Sequence, residues 1–119
     1  MELSSYLLMG RVEKQVKNMN GSIYTTDDIK KIIEPIAKEY GVKKLSVFGS
    51  YARGEATEKS DIDFHLIDTE DQWGYFKFYE FLHELEDTLG IKVDIITTEI
   101  INSKYFQEAR YDEVIILGQ

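Results

Sequence analysis

Apolar residues recur at helical spacing early in the chain and in short runs further on. Ile29, Ile32, Ile33, Ile36, Ala37 and Tyr40 share one stripe of a predicted helix. Thr25 stands at its N-cap with Asp28 three residues on, an arrangement that ties both ends of a first turn. Gly41 marks its end, and Pro35 inside it predicts a local kink. Leu45, Ser46, Val47 and Phe48 read as a short buried strand, and residues 49–54 as a tight turn opening a helix. A second strand follows over residues 61–67, a helix over 71–89 ended by Gly90, and a third strand over 91–97. Residues 102–110 read as a short helix and 114–117 as a last strand. Ahead of all this, Leu3, Leu7, Val12 and Val16 give a weaker helical pattern, cut off by Asn20-Gly21-Ser22.

Strands alternating with helices predict an α/β chain of the two-layer α+β kind, a mixed β-sheet flanked by helices. The expected organisation is an N-terminal extension over residues 1–24, helical in pattern, and one domain over 25–119. The 119 residues suit a single domain.

The helix over 71–89 is crowded with aromatic residues. Tyr75, Phe78, Tyr79, Leu82, Leu85 and Leu89 form the expected core stripe. Phe76 and Phe81 fall on its flanks, and Trp73 lies near the start. Exposed aromatic side chains are typical of interfaces, so Trp73 and Phe76 are expected to help contact a protein partner or a second copy.

Composition narrows the class. With 43% hydrophobic and 30% charged residues, the chain is of ordinary globular make-up. It has no cysteine, which excludes disulfides and thiolate metal sites. The one apolar stretch among the first residues, 6–9, is too short for a signal core or a membrane span, and a cytoplasmic protein is expected. Charge is uneven. Residues 1–45 hold eight Lys/Arg against six Asp/Glu, and residues 46–119 hold six against sixteen, leaving a net charge of -8 overall. The acidic second half repels phosphate backbones, so no nucleic-acid partner is expected. It can instead attract divalent cations.

The chemistry concentrates in Gly49-Ser50-Tyr51-Ala52-Arg53-Gly54 and in Ser60-Asp61-Ile62-Asp63. Side chains two apart in a strand point to one face, with their Cα atoms roughly 6–7 Å apart. Asp61 and Asp63 therefore project together, while Ile62, Phe64 and Leu66 face the core. Unpaired, the two acids repel each other. A divalent ion removes that penalty, and hard oxygen ligands suit Mg²⁺ or Mn²⁺. Asp94 is a lone acid in the third strand; if that strand neighbours the second, three carboxylates converge as a two-metal site demands. Gly49 follows a strand and precedes a helix start, where backbone can approach a phosphate closely. Ser50 adds a hydroxyl donor, and Arg53 can reach phosphate oxygens or organise the acids. The turn is not a P-loop, because Glu55 and Ala56 stand where Lys and Ser/Thr are required. His65 shares the carboxylate face and reads as a polar residue near the strand end, with a ligand role as the lesser alternative. His83 reads as a solvent-facing helix residue.

The glycine–serine turn, the Asp-Ile-Asp strand and Asp94, taken together, resemble the signature of the polymerase-β-like nucleotidyltransferase superfamily. The form "GSYARGEA…SDID" is most similar to its minimal nucleotidyltransferase (MNT) branch, over roughly residues 26–117. That resemblance implies the polymerase-β-like fold and transfer of a nucleoside monophosphate, AMP from ATP above all, to a hydroxyl acceptor. It implies that Gly49 and Ser50 hold the triphosphate tail and that Asp61 and Asp63 bind both metals. Asp94 would bind the metal that activates the acceptor, and Arg53 matches the motif arginine. It also implies an antitoxin role beside a HEPN-type helical partner that carries the target tyrosine; a homodimer is the other expected assembly. Two rival readings stand beside it. One is a binding module that neutralises its partner by occlusion. The other is an antibiotic-type adenylyltransferase that needs a partner subunit to close its site.

Overall fold

A computed structural model describes residues 23–98 and 112–118. The expected helices over the N-terminal extension and over 102–110 lie outside the described residues. Helix α1 (Thr26–Glu39) leads into β1 (Val42–Phe48), the one-turn helix α2 (Ser50–Arg53), β2 (Ile62–Thr69), α3 (Tyr75–Leu89), β3 (Val93–Thr97) and β4 (Val114–Leu117). The four strands form one sheet in the order β3-β2-β1-β4. β1 is antiparallel to β2 and to β4, whereas β2 and β3 are parallel. The sheet is therefore mixed, as the alternation of elements predicts.

The capping box of α1 is present. Asp28 N–H donates to Thr25 Oγ1 and Thr25 N–H to Asp28 Oδ2, both at 3.0 Å. The helix runs through Pro35 and buries Ile29, Ile33 and Ala37. These meet Leu45 and Val47 of β1, Ile62 and Phe64 of β2, Val93 of β3 and Ile116 of β4 in one core. Phe81, Leu85 and Leu89 of α3 complete it, so both long helices cover the same face of the sheet.

Several boundaries and one face differ from expectation: β2 runs on to Thr69, and β3 starts only at Val93. β1 begins at Val42, because Val42 and Lys44 pair with Thr69 and Asp68 and lengthen both strands beyond their apolar centres. α3 begins only at Tyr75, with Gly74 at its N-cap. The buried stripe of α3 is Phe81, Leu85, Thr88 and Leu89. Tyr75 and Tyr79, expected in the core, are 79% and 49% exposed, and Phe81, expected on a flank, is fully buried. Apolar residues on this helix outnumber the positions one face can bury, so spacing alone admits two stripes, and contact with Tyr40 and Trp73 selects the one through Phe81. Trp73 is half-buried against these rings, not free; Phe76 is exposed as expected, at 90%. Truncating Phe81 to alanine should cost ~3–5 kcal/mol of folding free energy in urea titrations. Phe76→Ala should stay within ~0.5 kcal/mol.

Candidate active site

The face of the sheet opposite the helices carries the polar chemistry. In the register of β1 and β2, Leu45 pairs with Leu66 and Val47 with Phe64 on the core side. Ser46 pairs with His65 and Phe48 with Asp63 on the other side. Across the parallel pair, Asp63 stands opposite Asp94. Neighbouring strands lie ~4.8 Å apart, so the two carboxylates rise side by side. Asp61 sits one residue before β2, with Ile62 N–H donating to Lys92 C=O at 3.1 Å and extending the ladder there. Exposure increases toward the sheet edge: Asp61 and Asp63 are half-buried, and Asp94 is exposed.

Electrostatics mark Asp63 as the centre. Its carboxyl is pushed up to about 6, first by burial and then by the charges of Asp94 and Asp61, with Arg53 opposing. The same burial, with Asp61 adding to it, raises the Tyr51 hydroxyl. The three acids thus interact through space. As they stand, among the described residues, no three His, Asp or Glu side chains gather tightly enough to enclose a cation. Hard oxygen donors with an unrelieved repulsion suit a Mg²⁺-like ion, which would draw them together.

Gly49 closes the other side of the site. It follows β1 at φ 78° and caps the single turn of α2. A Cβ there would fall 2.6 Å from Asp63 Oδ2. Glycine is required twice, for the left-handed backbone and for the room the carboxylate occupies. Ser50 opens α2, where the first backbone N–H groups of a helix have no partner within it. Arg53 ends that turn, its Nε donating to Glu55 Oε1 at 2.9 Å and its Nη1 lying 3.4 Å from Asp112 Oδ2. The fold therefore brings together Gly49, Asp61, Asp63 and Asp94, with Arg53 near enough to act on Asp63.

A family model described as a nucleotidyltransferase domain matches residues 29–117. The chain belongs to the nucleotidyltransferase domain family. A chain of Methanocaldococcus jannaschii designated a protein adenylyltransferase is 42% identical over 95 residues, 76% of this chain and 96% of that one. Among solved structures, a minimal nucleotidyltransferase aligns at TM-score 0.64 and 25% identity over 79% of this nucleotidyltransferase and 98% of that chain. A Shewanella oneidensis MNT antitoxin bound to a tri-AMPylated HEPN toxin aligns at TM-score 0.60 and 16% identity. It covers 80% of this chain and 74% of that one, a likeness of fold.

Sequence reasoning missed the polar groups around the nucleotidyltransferase motif. His65 is inside β2 and 5% exposed, not a residue at a strand end. Its ring nitrogens meet Glu113 and Thr98, and Glu113 also takes the Ser46 hydroxyl. The available signal was Ser46, a lone polar residue in an apolar strand. His83 is exposed, beside Glu86, as expected.

Because folding raises the proton affinity of Asp63 above that of an unfolded aspartate (~3.9), its charge opposes folding. That penalty is absent below about pH 4. It is fully felt once the pH exceeds about 6. Asp63→Asn should therefore stabilise the ion-free protein by roughly 1–2 kcal/mol at pH 8. The gain should disappear by pH 4, as followed by thermal unfolding in the presence of a chelator.

Proposed function

We propose that this nucleotidyltransferase moves AMP from ATP to a tyrosine hydroxyl of a helical, HEPN-type partner. The observation that carries the reading is the placement of Asp63 opposite Asp94, with Gly49 against the Asp63 carboxylate. The adenylyltransferase designation of a 42% identical relative and the AMPylated toxin of the Shewanella complex support the nucleotide and the acceptor.

In this reading Gly49 and Ser50 cradle the triphosphate tail, and Arg53, held by Glu55 and Asp112, offers its remaining guanidinium N–H groups to phosphate oxygens. Asp61, Asp63 and Asp94 would hold a divalent cation, which supplies charge neutralisation and a more acidic acceptor hydroxyl. The acceptor oxygen forms a bond to the α-phosphorus, and the bond from that phosphorus to the bridging oxygen breaks. Pyrophosphate leaves with the electron pair. Asp94, the most exposed of the three acids, faces the incoming acceptor, and the hydroxyl proton departs on its side. Positioning and charge stabilisation provide the rate. The transferase domain runs over 25–119 with 1–24 as an extension, in a cytoplasmic protein. Among the described residues, no helix is long and apolar enough to cross a membrane.

Tyr75, Phe76 and Tyr79 leave an aromatic face on α3, with Tyr75 and Tyr79 stacked at 5.9 Å. This face is where we place the partner contact. It also keeps occlusion without catalysis as a second reading, since docking there needs none of the carboxylates.

Incubating the protein with ATP, Mg²⁺ and the product of the neighbouring gene should add the mass of one or more AMP groups to that product. Asp94→Asn should slow the transfer about a hundredfold or more, ~2.7 kcal/mol of barrier, with no loss of thermal stability. Retained transfer rejects the role of Asp94. Phe76→Asp should abolish co-elution with the partner while ATP binding persists; undisturbed co-elution moves the contact elsewhere. An Asp61→Ala/Asp63→Ala chain that still neutralises the partner would favour occlusion.

A further inference from the structure

Ser46, His65 and Glu113 make a buried polar cluster apart from the three acids. Ser46 is fully buried and His65 nearly so. Ser46 donates its hydroxyl, and His65 its Nδ1–H, to the same Glu113 oxygen. The other ring nitrogen of His65 is bonded to the Thr98 hydroxyl at 3.1 Å. Ser46 and His65 are register partners at the centre of the sheet. Thr98 immediately follows β3, and Glu113 immediately precedes β4. Those two strands are the opposite edges of the sheet. His65 thus fastens the point where the chain leaves one edge to the point where it enters the other.

Stability alone does not account for such a cluster. Apolar residues of similar shape commonly replace buried polar groups without loss, so what a bonded cluster adds is a defined position. The position defined here is that of Asp112, the residue before Glu113. Asp112 and Glu55 together hold Arg53, whose side chain is 41% exposed at the end of a single helical turn. A long side chain on so short an element has little else to fix it.

We propose that Glu113 is a positioning residue for Arg53. Anchored on Ser46 and His65, it fixes the backbone from which Asp112 grips the guanidinium, and so sets where Arg53 stands beside the Gly49–Ser50 turn. Only the last consequence, better capture of a triphosphate, rests on the transferase reading.

The test has one arm that needs no nucleotide. Phenylglyoxal modifies free guanidinium groups, and peptide mass analysis reads Arg53 separately from Arg11 and Arg110. In Glu113→Gln, which keeps the size but not the charge of the anchor, Arg53 labelling should rise severalfold. Asp112→Asn should give a similar rise, and the double variant little more. The second arm is calorimetric binding of a non-hydrolysable ATP analogue with Mg²⁺. Its Kd should rise ~10-fold in Glu113→Gln, the usual scale for losing a supporting contact. On an Arg53→Ala background, the Glu113→Gln change should add nothing.

Unchanged Arg53 labelling in folded Glu113→Gln overturns the proposal, as does a full further loss of affinity on the Arg53→Ala background. If Glu113→Gln does not fold, Asp112→Asn decides, because Asp112 lies outside the buried cluster; unchanged labelling there overturns the proposal equally. Labelling that rises in both variants while even the wild-type chain ignores the analogue upholds the positioning of Arg53 and defeats the transferase reading.

Discussion

The register between two parallel strands is the constraint on which the site depends. Asp63 and Asp94 face each other only because Ile62 is paired with Val93 and Phe64 with Ile95 on the opposite side of the sheet. A slip of β2 by one residue would turn Asp63 into the core and expose Ile62 and Phe64. Burial of Ile62, Phe64 and Val93 therefore secures the alignment of the acids. The hydrophobic effect sets the register, and the register sets the distance between charges. The helices serve the same end, since α1 and α3 both cover the apolar face and leave the other to the polar groups.

Holding the acids in this way has a cost that local contacts leave unrelieved. Asp63 is half-buried with two like charges near it, and Arg53 is the cation that opposes them. Gly49 adds to the confinement, since its missing side chain is the space the Asp63 carboxylate occupies. A surface acid would be free to swing into water, but the strand and the turn forbid it here. Such an arrangement suits the external cation and phosphates of the proposed reaction.

Much of this was legible from residue spacing. Asp61-Ile62-Asp63 places its acids on one face whatever the tertiary fold, because strand periodicity is local. That the β3 strand lies beside β2 required only that the αβ crossover return to a neighbouring parallel strand. The glycine–serine turn was equally plain, since a glycine between an apolar strand and a helix start has few other uses. The α3 face was not legible. Its aromatic residues offer two stripes of similar hydrophobicity, and only the contacts of Phe81 with Tyr40 and Trp73 decide between them. The role of His65 was out of reach for a related reason. Its principal partner, Glu113, is 48 residues away and meets it only because the chain returns to the sheet as β4. Pairing of this kind depends on topology, and no pattern within β2 encodes it.

The same face of the sheet therefore holds acids under two opposite regimes. Glu113 is supplied with a hydroxyl and a ring N–H at one oxygen, so its charge is met within the fold. Asp63, two positions from His65 on the same strand, is surrounded by other carboxylates instead. Were both acids compensated locally, nothing would draw a cation to the site. Were neither compensated, the chain between Thr98 and Glu113 would have no fixed return to the sheet, and Asp112 no fixed place from which to hold Arg53. His65 marks the boundary between the two regimes: on one side of it charge is satisfied to give position, and on the other it is left exposed to neighbouring charge to give chemistry.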